Sequence, residues 1–103
     1  MVYQLVLQFA PWGDRSFDDL IALEDRLEAI GDLEAEVDGH DLGAGEANIF
    51  LSTSDPLRTV THCLPAIGAE GLLPLLAAAF RRDGQEQYRR IWPVGDVTPF
   101  AVL

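Results

Sequence analysis

The chain has 103 residues, 49% of them apolar, and its seventeen acidic side chains against seven arginines and no lysine give a net charge of −10. That size and apolar content fit one domain, residues 1–103, whose core needs neither a metal nor a disulfide, and the one cysteine, Cys63, has no partner within the chain. Apolar stretches shorter than the ~20 residues that span a bilayer, and an N-terminus without a secretory pattern, lead us to expect a cytoplasmic protein without membrane contact.

Tyr3, Leu5, Leu7 and Phe9 alternate with Gln4, Val6 and Gln8, the pattern of a half-buried strand over residues 2–9 that Pro11 and Gly13 end. Ser16 stands three residues before Asp19, as in a capping box, and Asp18 and Asp19 suit the positive end of a helix. Phe17, Leu20, Leu23, Leu27 and Ile30 then recur at helical spacing up to Gly31, which predicts a first helix with these residues as its apolar stripe. Residues 34–40 return to period two, with Ala35 and Val37 on one side and Glu36, Asp38 and His40 on the other. A turn over residues 41–45 leads into a third alternating run, residues 47–53, with Ile49 and Leu51 inward and Asn48, Phe50 and Ser52 outward. The two runs are expected to form a hairpin.

Ser54-Asp55-Pro56 sets cap residues directly before a proline at the first helical position. Leu57, Val60, Leu64 and Ile67 make the buried stripe of the second helix, which Pro65 should kink or shorten. Residues 75–82 have helical composition but precede Asp83-Gly84, a favoured two-residue hairpin turn. Because Tyr88, Arg90 and Trp92 alternate with Arg89 and Ile91, the expectation is a strand over residues 76–82 paired with one over residues 86–92. Pro93, Gly95 and Pro99 make residues 93–103 an irregular tail. The order β-α-β-β-α-β with one more strand predicts an α+β fold, a ferredoxin-like sandwich with two helices on one face of an antiparallel sheet. The other face is left open, carrying Gln4, Val6, Gln8, Glu36, Asp38, His40, Asn48 and Phe50.

The charge is unevenly spread. Residues 14–46 hold twelve of the seventeen acids and only two arginines, while the rest of the chain is balanced. A strongly negative side discourages binding to nucleic acid and anionic membrane and speeds encounter with a basic partner. Arg81, Arg82, Arg89 and Arg90 form a counter-cluster that suits a phosphate, a pairing with the acidic strands, or the protection of an edge.

The densest run of unusual residues is D-G-H-D-L-G-A-G-E-A-N-I-F, residues 38–50, in which Gly39, Gly43 and Gly45 predict the positive backbone angles of a bulged hairpin. Here the chain resembles a group of small uncharacterised bacterial proteins with a ferredoxin-like fold, in which D-G-x-x-x-G-x-G-E leads into a strand and D-P or a similar dipeptide opens the next helix. The match lies on Gly39, Gly43, Gly45 and Glu46 and covers residues 38–67. It implies the fold and supplies no catalytic residue.

Asp38, His40, Asp41, Glu46, Asn48 and Phe50 are the candidate ligand or interaction residues. No catalytic residue, metal or other cofactor is expected, since strand neighbours such as His40 and Asp41 point to opposite faces and no H-x-H, H-E-x-x-H or paired-cysteine spacing occurs. The leading expectation is a non-enzymatic interaction module that self-associates through the open face, using Phe50, Val6, Trp92 and the apolar tail. An enzymatic rival takes Asp38 and His40, near one another at i, i+2, as an acid-base pair, or adds Asp41 and Glu46 to bind a small ligand or a metal. A third reading is an acidic immunity-type or decoy protein for a basic partner.

Overall fold

The computed structural model describes residues 2–102. Strand β1 (Tyr3–Phe9) is followed by helix α1 (Phe17–Glu28), strands β2 (Ala35–Gly43) and β3 (Glu46–Thr53), helix α2 (Pro56–Ala69), and strands β4 (Leu76–Arg82) and β5 (Arg89–Trp92). The strands form one sheet in the order β2-β3-β1-β4-β5, every neighbouring pair antiparallel. This is the expected ferredoxin-like order with β5 added beside β4.

Both helices start where the sequence places them. Ser16 accepts from the Asp19 backbone N–H while the Asp19 carboxylate accepts from the Ser16 N–H, a complete capping box. Asp55 caps α2 at the Arg58 N–H, with Pro56 in the first turn. Helix α1 buries Leu20, Leu23 and Leu27 and ends two residues before Gly31, at the Ala29 cap. Phe17 is outside the core, 49% exposed at the helix start.

Helix α2 is rotated from the expected stripe: Val60 and Ile67 are buried, Leu64 is half-buried, and Leu57 is 62% exposed. Thr59 and Cys63 complete the buried face instead. The helix also runs through Pro65, which neither ends nor shortens it. The carbonyl four residues earlier belongs to Thr61, an exposed position where water can take the place of the missing N–H.

The core lies between the helices and one face of the sheet, built from Leu5, Leu7 and Phe9 of β1, Ala47, Ile49 and Leu51 of β3, and Leu76 and Ala78 of β4. Trp12, just beyond β1, also enters it: its backbone N–H donates to Gly45 at 2.8 Å and its indole N–H to Ser16 at 3.3 Å. The hairpin joining β2 to β3 needs two residues, Ala44 and Gly45, both at positive φ, which is the geometry that matches the strand twist. The expected turn over residues 41–45 is therefore shorter, and Asp41 and Gly43 belong to the strand. The β4-β5 connection goes the other way. Asp83-Gly84 does turn the chain, with the Gln85 N–H donating to Arg82, but pairing resumes only at Arg89, so residues 86–88 are loop.

Cys63 sits at the centre of the buried face of α2, and burial pushes its thiol from 9.0 up to about 12. The native protein should therefore resist iodoacetamide at pH 8 and be alkylated quantitatively in urea. Because the folded-state value is the higher one, the contribution of this thiol to stability is complete below pH 9 and lost as pH rises towards about 12. In alkaline denaturation, Cys63→Ala should lose that component of the pH slope.

Candidate functional site

The six candidate residues do not converge. The cause is a β-bulge in β2, where the pairing with β3 runs Ala35 to Thr53, Glu36 to Ser52 and Val37 to Leu51, then skips Asp38 and resumes with Gly39 opposite Phe50. Gly39 has φ of +153°, a backbone angle that side-chain-bearing residues rarely adopt. One inserted residue reverses the face of every side chain beyond it. His40 therefore lies opposite Ile49 on the helix side, a correction to its expected place on the open face, and Asp41 lies opposite Asn48 on that face instead.

On the helix side His40 Nδ1 donates to the Glu24 carboxylate of α1 at 3.0 Å, and its ring meets Phe17 edge-on with centroids 5.2 Å apart. Asp38, at the bulge, accepts the Ser52 hydroxyl at 2.8 Å on the far face. The Asp38–His40 acid-base pair is thus split between two faces. Glu46 is buried at the start of β3 and engaged in an interaction of its own, while Asp41 is exposed. Among the described residues no group of three or more His, Cys, Asp or Glu side chains is gathered in a way that holds a metal, and no helix is long and apolar enough to cross a membrane.

The second sheet face is not open. The tail, residues 93–102, folds back over it to reach Gln8, Tyr88 and Arg90, and Val6, Asn48 and Ala79 on this face are completely buried. Arg90 of β5 anchors the tail by donating Nε to the Thr98 carbonyl at 2.9 Å and standing 3.9 Å from Asp96. The Thr98 hydroxyl and backbone N–H, with Arg90, hold the Asp96 carboxyl below the usual carboxylate range. Phe100 meets Tyr88 edge-on at 5.4 Å and lies under the Arg90 guanidinium at the same distance. Farther along, Gln8 Nε2 donates both to the Ala101 carbonyl at 3.0 Å and to Asn48 Oδ1 at 3.1 Å. Asn48 Nδ2, fully buried, has no partner among the described residues.

Of the surface expected to pair two copies, Val6 is inaccessible and Phe50 half-buried. Trp92 belongs to the opposite side, opposite Ala78 and packed on the core, because a second register shift separates it from Arg90. The residues that the sequence reading passed over are Gln8, Tyr88 and Phe100. Their signal is faint: two glutamines alternating in an otherwise apolar first strand, and one aromatic in a proline-rich tail.

The sheet has two edge strands, β5 of four residues and β2 of nine, and the longer, β2, is the acidic one. It pairs with β3 on one side only, and its exposed side chains are Glu36, Asp38, Asp41 and Leu42. Leu42 follows His40 by two residues on the same side, opposite Ala47, so this acidic edge carries apolar surface from Leu42 and Phe17, 38% and 49% exposed. No family model matches the chain, and no curated protein or solved structure is found to be similar to it.

The place of His40 carries a test. His40→Ala leaves the Glu24 carboxylate, 12% exposed, without its donor, at a cost of about 1–3 kcal/mol. The thermal midpoint followed by circular dichroism should fall by several degrees. An unchanged midpoint would rule out this structural role.

Proposed function

We propose that this chain is a non-enzymatic protein-interaction module that takes an extended basic segment of a partner protein along the longer of its two sheet edges, strand β2. The observation that carries the reading is the make-up of that edge: nine residues long, paired on one side, with exposed Glu36, Asp38 and Asp41 and no arginine or lysine. A strand added to a sheet edge gains main-chain hydrogen bonds, and its side chains meet those of the edge strand at alternate positions. Arginine or lysine on the face shared with Glu36 and Asp41, and apolar residues on the face shared with Leu42 and Phe17, complement what β2 presents. The long-range field of residues 14–46 has the sign that draws such a segment in.

A second copy fits this edge poorly. Two β2 strands laid antiparallel would set Glu36, Asp38 and Asp41 against the same three acids, and like charges facing across strands are destabilising. The sheet face that would otherwise pair two copies is occupied by the chain's own tail.

A fluorescent peptide of alternating arginine and valine should bind saturably, weakening by roughly tenfold or more as salt rises from about 50 to about 500 mM. Glu36→Lys combined with Asp41→Lys should remove binding while leaving the circular dichroism spectrum unchanged. Equal binding by the reversed-charge variant, no binding by the native chain, or a dimer in sedimentation equilibrium that survives the two substitutions would each overturn the reading.

A further inference from the structure

Among the described residues two guanidiniums of this acid-rich chain are held in place without an acid: Arg15, exposed, which donates to the Trp12 carbonyl and lies over the Trp12 ring, and Arg81, the more buried of the two. Arg26, Arg58 and Arg90 pair with Glu70, Glu34 and Asp96, whereas Arg82 and Arg89 are exposed to water. Arg81 is half-buried on β4, on the face that the tail crosses. Its Nε donates to Gln4 Oε1 at 2.8 Å, and its guanidinium carbon lies 4.8 Å from the centre of the Tyr88 ring. The Tyr88 hydroxyl donates to the same Gln4 oxygen, also at 2.8 Å. Two donors thus fix Gln4, Gln4 and Tyr88 fix Arg81, and the Arg81 Nη groups and the Gln4 amide nitrogen are left without acceptors among the described residues.

These groups border a cleft of about 530 Å³ between sheet and tail, walled by Phe50, Tyr88, Phe100 and Val102. Two rows along the same face, outside the cleft, Asn48 Nδ2 is a further donor without an acceptor among the described residues. The cleft therefore offers fixed donors, the Arg81 Nη groups and the Gln4 amide nitrogen, which a ligand bearing an acceptor would engage.

We propose that this cleft binds a small aromatic carboxylate, with the carboxylate on the Arg81 fork and the Gln4 amide and the ring against Phe50 and Phe100. A planar fork matches a carboxylate in two parallel hydrogen bonds. A single guanidinium, with Glu86 at the rim and a net charge of −10, favours a monoanion over a phosphate dianion. Three aromatic walls suit a ring edge or face better than an aliphatic chain. Phe100 and Val102 belong to the tail, so the tail is one wall of the site and is held there by the Gln8 contact to Ala101.

The test is a titration of the whole chain with sodium benzoate, followed by amide nitrogen–proton correlation spectra and repeated with sodium acetate and inorganic phosphate. Benzoate should give saturable shifts concentrated at Gln4, Phe50, Tyr88 and Ala101, with Kd roughly millimolar, as a ligand of so few atoms allows. Acetate should bind at least about tenfold more weakly, lacking the ring. Arg81→Gln should weaken benzoate by about tenfold or more, and Arg82→Gln, one residue away and exposed, should leave it unchanged. If Arg81→Gln fails to fold, Phe100→Ala reads the site from the tail side, raising Kd for benzoate but not for acetate. Absent or dispersed shifts, equal losses in the two arginine variants, equal effects of Phe100→Ala on both anions, or phosphate binding tighter than benzoate would each overturn the proposal.

Discussion

Strand β1 buries apolar side chains on both of its faces, and the sheet is organised around that. Leu5 and Leu7 point at the helices and Val6 points away, yet all three are fully buried. Two helices cover one face of a five-stranded sheet and leave the other to water, where Val6 and Ala79 would each cost about 25 cal/mol per Å² exposed. The tail removes that cost. The Arg90 contacts to Thr98 and Asp96, the Phe100–Tyr88 contact and the Gln8 amide hold a segment without regular structure against the strand that most needs cover. Arg81, Gln4 and Tyr88 are ordered in the space between.

A second constraint acts on one residue. Because strand faces alternate with period two, inserting Asp38 sends His40 to Glu24 and Phe17 rather than to the carboxylates beside it in sequence. The same insertion leaves Asp38 and Asp41 on the outer side of the edge strand, one bonded to Ser52 and one in solvent. A motif that looks like a cluster of chemistry along the chain is, in space, an anchor for α1 on one side and an acidic margin on the other.

Element order, both helix starts and the strand at residues 76–82 were legible because each rests on local signals: alternation, capping residues, proline at a first turn. The rest was not legible because it depends on events without a periodic trace. A bulge changes face parity without changing composition, and Gly39 hints at it without saying which neighbour is extra. The same parity loss moved Trp92 from the far face to the core. The rotation of α2 that exposes Leu57 and buries Cys63 turns on a competition between adjacent stripes of similar apolar content. The tail's course across the sheet follows from what β1 lacks, a deficit visible only once the strand order is known. Of the candidate residues, Phe50 alone borders the cleft, and the Arg81 cluster was legible as a group of charges rather than as one fixed fork.

Strand order also separates charge along the molecule. Glu36, Asp38 and Asp41 stand on β2 at one end of the sheet, beneath the acidic helix α1, and Arg81, Arg82, Arg89 and Arg90 stand on β4 and β5 at the other. Four interstrand steps of about 4.8 Å place the two ends roughly 19 Å apart. The protein is thus an electric dipole lying in the plane of its sheet as well as a net anion. A charged body approaching from solution exerts a torque on it, and the molecule turns its acidic margin towards a cation before any atoms touch.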